Sequence, residues 1–357
     1  MSALSDRCDD FCRRFGLRVP ILLAPMAGAC PPSLSIAVGE AGGMGGCGAL
    51  TFSPQEMRSW AESVRAASAG PFQINLWVPE AAPSRNAEHE ARVRQFLAQW
   101  GPPVAESAAN EVPRDFGPQS EALVAIRPAV ASSIMGVFPP ELVAALKSAG
   151  ISWYAVATTV KEALLAEAAG ADVIVAQGME AGGHRGCFEN AAAEREQVGL
   201  FALLPQVVDA VRIPVVATGG IADARGIAAA LLLGASAVQI GTAFLRCPEA
   251  DLPQAWSEAL AKARPEDTTL TRAFSGRAGR ALTTDYVRAA AALDVPPPAP
   301  YPVQRGLTAA MRRKALEQNT LRGMQAWAGQ ASRLARSEPA AQVTPRLWRE
   351  AQELLGD

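Results

Sequence analysis

The chain reads as an α/β protein: a closed (β/α)8 barrel with a smaller lobe over its mouth. Short apolar runs rich in β-branched residues alternate with helical segments, which is the mark of parallel βαβ units. Eight such runs lie between Pro20 and Thr242, the number that closes a TIM barrel. The rival, an open doubly wound sheet, requires G-x-G-x-x-G after an early strand and an acidic residue about 20 positions later. Gly43 to Gly48 imitates that pattern only loosely.

The elements follow in order. A short helix is expected over 7–16. Pro20 to Gly28 is a buried strand ending in a tight loop, and Gly42 to Leu50 is a glycine-dense second strand. Ser53-Pro54-Gln55-Glu56 opens a helix, with serine at the cap and proline first inside. Phe72 to Trp77 is the third strand, with Asn75 near its end. Residues 78–122 change in character, with scattered prolines and a charged helix, and form an excursion from the core. Strands four to six are expected over Pro128–Ile134, Ile151–Val156 and Val173–Ala176. Pro214 to Ile221 is the seventh and Ala237 to Thr242 the eighth. The expected division is a barrel over 12–250, a lid or substrate lobe over 251–320, and C-terminal helices over 321–357 that pack on the barrel. Met324 to Arg336 is expected to be helical.

Composition narrows the function. A net charge of -2 without a basic tract argues against nucleic acid or an acidic membrane as partner. No apolar run reaches the ~18 residues of a membrane span, and the first residues lack the apolar stretch of a secretory signal. The six cysteines show no paired metal-ligand spacing. His184 and Cys187 could supply two ligands, but no second pair accompanies them, so no metal is expected. Free thiols in the cytoplasm are the default.

The stretch D-V-I-V-A-Q-G-M-E-A-G-G-H-R-G-C-F, Asp172 to Phe188, is the centre of the chain. A buried strand ends at Gln177, and a glycine-rich loop then carries Glu180, His184 and Arg185. Barrel enzymes place their chemistry at the C-terminal ends of strands. Of the two histidines, His89 lies in a charged helical run, whereas His184 is set among glycines. Phosphate in such barrels is often held after strands seven and eight. Here those loops are Thr218-Gly219-Gly220 and Gln239-Ile240-Gly241-Thr242. Asn75 and Gln177 are amides, each with donor and acceptor, suited to a heterocycle edge. Met26 follows the first strand beside them. These residues imply a phosphate-bearing heterocyclic ligand, and they leave flavin mononucleotide and a phosphorylated sugar equally open.

The segments L-A-P-M-A-G (23–28), Q-I-N (73–75), A-Q-G-M-E-A-G-G-H-R-G (176–186), A-T-G-G-I (217–221) and Q-I-G-T (239–242) closely resemble nitronate monooxygenases. P-Y-P-V-Q (300–304) and M-Q-A-W-A-G-Q (324–330) resemble the same family. The resemblance implies an FMN-dependent enzyme that uses O2 to convert alkyl nitronates to a carbonyl compound and nitrite. It places Met26, Asn75, Gln177, Gly182, Gly219 and Gly220 at FMN, with Gln239, Ile240, Gly241 and Thr242 at its phosphate end. His184 would be the active-site histidine, either holding the anionic nitronate as an imidazolium or removing the α-proton of a nitroalkane as a neutral base. Arg185 would supply positive potential or pair with Glu180 or Glu189. Tyr301 is a candidate for the substrate pocket. A homodimer is compatible with this reading. The alternative is an FMN-dependent enoyl-acyl-carrier-protein reductase taking hydride from NAD(P)H, which shares the barrel and a similar histidine loop.

Overall fold

The structure, a computed structural model, describes residues 3–356. Eight parallel strands form one sheet in the order β1-β9-β8-β6-β5-β4-β3-β2. They are β1 (Ile21–Leu23), β2 (Gly45–Gly48), β3 (Phe72–Trp77), β4 (Val130–Ile134), β5 (Ser152–Ala157), β6 (Val173–Gln177), β8 (Val215–Thr218) and β9 (Ala237–Ile240). A parallel bridge between Leu22 and Met44 joins β1 to β2 and closes the ring. The remaining strands, β7 (Gly183–His184), β10 (Thr268–Thr271) and β11 (Gly279–Leu282), make a small antiparallel sheet in the order β10-β11-β7.

The period of two along each strand separates two cores. Ile21, Leu23, Ile74, Leu76, Ile174 and Ala176 pack outward against the helices. Leu22, Met44, Val130, Tyr154, Val173, Val175 and Val216 fill the barrel interior, joined by Phe11 and Phe15 of the helix Ala3–Phe15. Phe15 meets Tyr154 edge-on at 5.2 Å. Each such side chain contributes about 1.5–3 kcal/mol by leaving water.

Local chemistry starts and stops the helices as expected. Ser53 accepts from the Glu56 N–H at 3.2 Å, and the Glu56 carboxylate accepts from the Ser53 N–H at 2.7 Å. This reciprocal cap opens the helix Pro54–Ala67.

Two expectations change. Met324 to Arg336 is not an α-helix: Trp327 bridges Ala281 beside β11, and only Ser332–Leu334 makes a 3-10 turn. The Ala326 carbonyl accepts from the Leu282 N–H, so this segment is used as an edge against β11. The C-terminal span contributes one α-helix, Ala340–Leu355, and Val343, Leu347 and Ala351 of that helix join the outer barrel core. It takes the place of the eighth barrel helix, so residues 241–339 are an insertion between β9 and its helix. Asp357 lies outside the described residues. The earlier excursion is also shorter than composition suggests. The helix Phe116–Ile126 buries Ala122, Leu123 and Ile126 in the outer core and is the β3–β4 crossover.

Both insertions leave the barrel at C-terminal ends of strands, and they share a hydrophobic core. Val93, Leu97 and Ala109 of the first pack with Phe274, Tyr286, Val303, Leu307 and Met311 of the second. The two are also bound by charge: Arg277 pairs with Glu80 at 2.5 Å, and Arg305 pairs with Glu111. The lid is therefore one packed body made of two distant stretches of chain.

Candidate active site

The inward set of each strand turns polar toward the rim. On β3 the inward residues are Gln73, Asn75 and Trp77; on β6 they are Val173, Val175 and Gln177; on β8 and β9 they end at Thr218 and Gln239. This polar tier floors a cavity of about 400 Å³, within the ~300–1,000 Å³ usual for small-molecule and cofactor sites.

Met26, Asn75, Gln177, Gly182, His184, Gly219, Gly220, Gln239, Gly241 and Thr242 all line that cavity. Ile240 does not: its side chain is 1% exposed and belongs to the outer core, because it alternates with Gln239 on β9. Tyr301 is likewise outside the lining and lies behind Trp77, with ring centroids 5.6 Å apart.

The amides have divided tasks. Asn75 donates through Nδ2 to the Ser132 carbonyl and hydroxyl at 3.2 and 3.1 Å, which leaves its Oδ1 as an acceptor for a ligand. Gln177 braces the histidine loop instead: Nε2 donates to the His184 carbonyl at 3.2 Å, and Oε1 accepts from the Gly186 N–H at 2.8 Å. Gln239 accepts from Gln73 Nε2 at 3.0 Å, so its own Nε2 remains a donor. The Gln73 Oε1 beneath them is buried without a hydrogen-bond partner, and a buried orphan acceptor next to a cavity is a place for a ligand or ordered water.

Gly219 and Gly220 take φ of 112° and 69°, conformations that L side chains rarely adopt. A Cβ at Gly219 would also stand 3.1 Å from the Gly178 carbonyl oxygen. Gly182 is small for a different reason: a Cβ there would meet the Gly329 nitrogen at 2.5 Å. The Gly329 N–H donates to Thr242 Oγ1 at 3.0 Å, so the lid reaches down to the floor at this point. The residues present fit FMN. Bare backbone at Gly219, Gly220 and Gly241 suits the phosphate, and free amide groups of both polarities suit the edge of the ring.

His184 sits at the other end. Its Nε2 lies 2.7 Å from Ser275 Oγ of the lid. Its ring meets Trp77 edge-on at 4.7 Å and Trp327 at 4.8 Å. Burial, then the positive charges of Arg277, Arg305 and Arg312, push its pKa down to about 3. Both effects favour the uncharged imidazole over the imidazolium. Arg185 makes neither of the expected ion pairs: it donates to the carbonyls of Gln177, Thr158 and Glu196 at 2.7, 3.4 and 3.1 Å. Glu180 is taken by the Leu200 N–H at 2.9 Å.

Sequence reasoning missed Trp77 of the barrel and the lid's contribution. Trp77, Ser275, Arg305, Arg312, Gln325 and Trp327 line the same cavity. Arg312 donates to Gln325 Oε1, Thr308 Oγ1 and the Arg305 carbonyl at 2.9, 3.1 and 2.8 Å. Among the described residues no carboxylate bonds it. Trp327 stood in the quoted M-Q-A-W-A-G-Q run and could have been found there. Ser275 lies in S-G-R-A-G-R, which has no chemistry of its own in isolation. Among the described residues no group of three His, Cys, Asp or Glu side chains could hold a metal ion.

Fold and site together define a barrel of the enzyme type, with a cavity at its C-terminal rim beneath the two packed insertions. The family model described as nitronate monooxygenase matches residues 12–350. A nitronate monooxygenase of Pseudomonas aeruginosa is 40% identical over 347 residues, covering 96% of this chain and 99% of the relative. A solved nitroalkane oxidase from Streptomyces ansochromogenes is 36% identical with a TM-score of 0.87, covering 97% of this chain and 99% of that chain. FabK from Thermotoga maritima is 28% identical with a TM-score of 0.76, covering 97% of both chains. This chain belongs to the nitronate monooxygenase family, and it is an oxidoreductase acting on nitronates.

Proposed function

We propose that the chain is an FMN-dependent nitronate monooxygenase that consumes O2 and releases nitrite and a carbonyl compound, with His184 at the reacting carbon. The observation that carries this reading is the placement of His184, held by Ser275 and flanked by two indoles, in the same cavity as Arg305 and Arg312. When bound, FMN supplies the electron acceptor and the reaction with O2.

The protein's part is binding and proton handling. Arg312, without a direct carboxylate partner among the described residues, draws an anionic nitronate toward the lid side of the cavity through charge-assisted hydrogen bonding. His184 takes the α-proton when a neutral nitroalkane is offered: the C–H bond breaks, the proton goes to a ring nitrogen and the electron pair moves onto the nitro group. The anion formed beside the ring offsets the repulsion from the arginines and raises the imidazole's basicity as the proton arrives. Ser275 fixes the ring through Nε2, and the indoles of Trp77 and Trp327 exclude water from its faces. No helix of the described residues is long and apolar enough to cross a membrane. A cytoplasmic setting, where thiols stay reduced, suits the buried thiols of Cys30, Cys47, Cys187 and Cys247.

The test is an oxygen-electrode assay on the flavin-loaded protein with propyl nitronate and with the nitropropane it derives from. Nitrite should appear with oxygen uptake. His184→Asn should keep its flavin and lose about 10²–10⁴-fold of its nitroalkane turnover. Rapid bleaching by anaerobic NADPH, without oxygen uptake on a nitronate, would favour the enoyl reductase instead.

A further inference from the structure

The His184 side chain has one hydrogen bond, to Ser275. One bond does not fix the attitude of a flat ring. The rest of the constraint is steric. His184 stands between two indoles, at 79° to Trp77 and 61° to Trp327. Trp77 belongs to the barrel, at the end of β3, and Trp327 belongs to the lid.

Trp327 is held from every side. Its carbonyl accepts from Trp256 Nε1 at 3.2 Å, its backbone bridges Ala281, and Phe274 backs its ring at 5.8 Å. The remaining side is Gly279. A Cβ at position 279 would lie 2.9 Å from Cη2 and from Cζ3 of Trp327, and 3.1 Å from the Gly183 carbonyl oxygen. Gly279 is not among the residues with positive φ, so it is glycine for space and not for backbone conformation. Gly279 is also the residue paired with His184 in the β11–β7 ladder. The position that must be bare to seat the indole is therefore in register with the histidine that the indole touches.

We propose that Trp327, seated on Gly279, is a positioning residue that sets the attitude of the His184 ring. This rests on the reading of His184 as the base for neutral nitroalkanes. A preformed nitronate has already lost its acidic α-proton, so it reports on binding and oxidation without the base. The ratio of kcat/KM for the nitroalkane to that for its nitronate therefore isolates the proton step.

In the flavin-loaded enzyme, Gly279→Ala should push the indole toward His184 and lower that ratio by roughly 100-fold, the cost of misplacing a reacting group by about 1 Å. Trp327→Phe should lower it by removing one wall. The double variant Gly279→Ala/Trp327→Phe should be less impaired than either single variant, because phenylalanine lacks the two atoms the new methyl meets and the methyl fills the space they leave. A second readout needs no turnover. The chain has two histidines, so 15N-histidine NMR with His184→Asn as the assignment control follows this ring directly. Both single variants should shift its ring signals, and the double variant should return them toward wild type.

If both single variants fold and leave the ratio and the ring signals unmoved, the positioning role is wrong. A double variant whose losses simply add overturns it too. The base reading fails separately: in that case His184→Asn itself leaves the ratio unchanged. Should Gly279→Ala not fold, Trp327→Phe alone decides by the same two readouts.

Discussion

Ser275 Oγ and His184 Nε2 are 2.7 Å apart across 91 positions of sequence. The serine belongs to the lid and the histidine to a barrel loop, so the imidazole is held by an element outside the barrel. Ser275 is 1% exposed, and its Oγ also lies 3.3 Å from the Arg277 carbonyl and from the Arg277 N–H. A hydroxyl tied to backbone on one side can hold one tautomer of the imidazole on the other.

Ser275→Ala should therefore weaken proton abstraction and spare nitronate oxidation. The expected loss in kcat/KM with a nitroalkane is about 10-fold, the worth of a hydrogen bond of about 1.4 kcal/mol. Equal losses on both substrates, measured side by side, would refute an orienting role.

The pH dependence follows from the sign of the His184 shift. Its folded pKa of about 3 lies below its ordinary value of 6.5. Between these two values the unfolded chain binds a proton that the folded chain refuses, so stability falls as pH drops through that window and is unaffected above it. For activity, the kcat/KM profile with a nitroalkane should show no limb near pH ~6.5, the ordinary imidazole value. An acidic limb centred there in wild type would mean that burial and the lid arginines do not depress the imidazole.

Gly219→Leu tests the phosphate end. At φ 112° a leucine is strained, and its branch would intrude where bare backbone now lines the cavity. The variant should lose most of its flavin on gel filtration, read as the 450 nm to 280 nm absorbance ratio. Full retention would remove Gly219 from the cofactor assignment.

Arg312→Met separates anion binding from proton transfer. Without this cation, KM for a nitronate should rise roughly 10- to 100-fold, matching a charge-assisted hydrogen bond of about 1.5–3 kcal/mol. KM for the neutral nitroalkane should move much less. A uniform change in both would point to lost packing around Gln325 and Thr308 instead.

The barrel was legible in the sequence because it is made of local patterns. Eight apolar runs, the glycines that end them and the Ser53–Glu56 cap each act within a few residues, and so do Gly219 and Gly220. Asn75, Gln177 and Gln239 were readable as rim residues by position, since strand ends at the barrel mouth face the cavity. Position did not reveal which atoms remain free: Gln177 spends its amide on the histidine loop, while Asn75 keeps its oxygen. Ile240 went astray for a related reason, because adjacent strand residues point to opposite faces and only Gln239 turns inward.

Sequence led to the expectation of a lobe over the mouth, but how that lobe is assembled was decided by tertiary structure. Its two halves lie far apart in the chain, and their shared core of Val93, Leu97, Tyr286 and Met311 has no period that either half displays by itself. Ser275, Arg312 and Trp327 acquire their roles only by arriving beside His184. The His184 pKa is likewise a property of the assembled site, since desolvation and three arginines from distant positions must coincide to produce it. Sequence by itself determined the barrel and marked out the glycine loops and the histidine that line its cavity. Packing decided which face of that histidine is held, what field it feels and how it is aimed, because those depend on distances through space that no local pattern encodes.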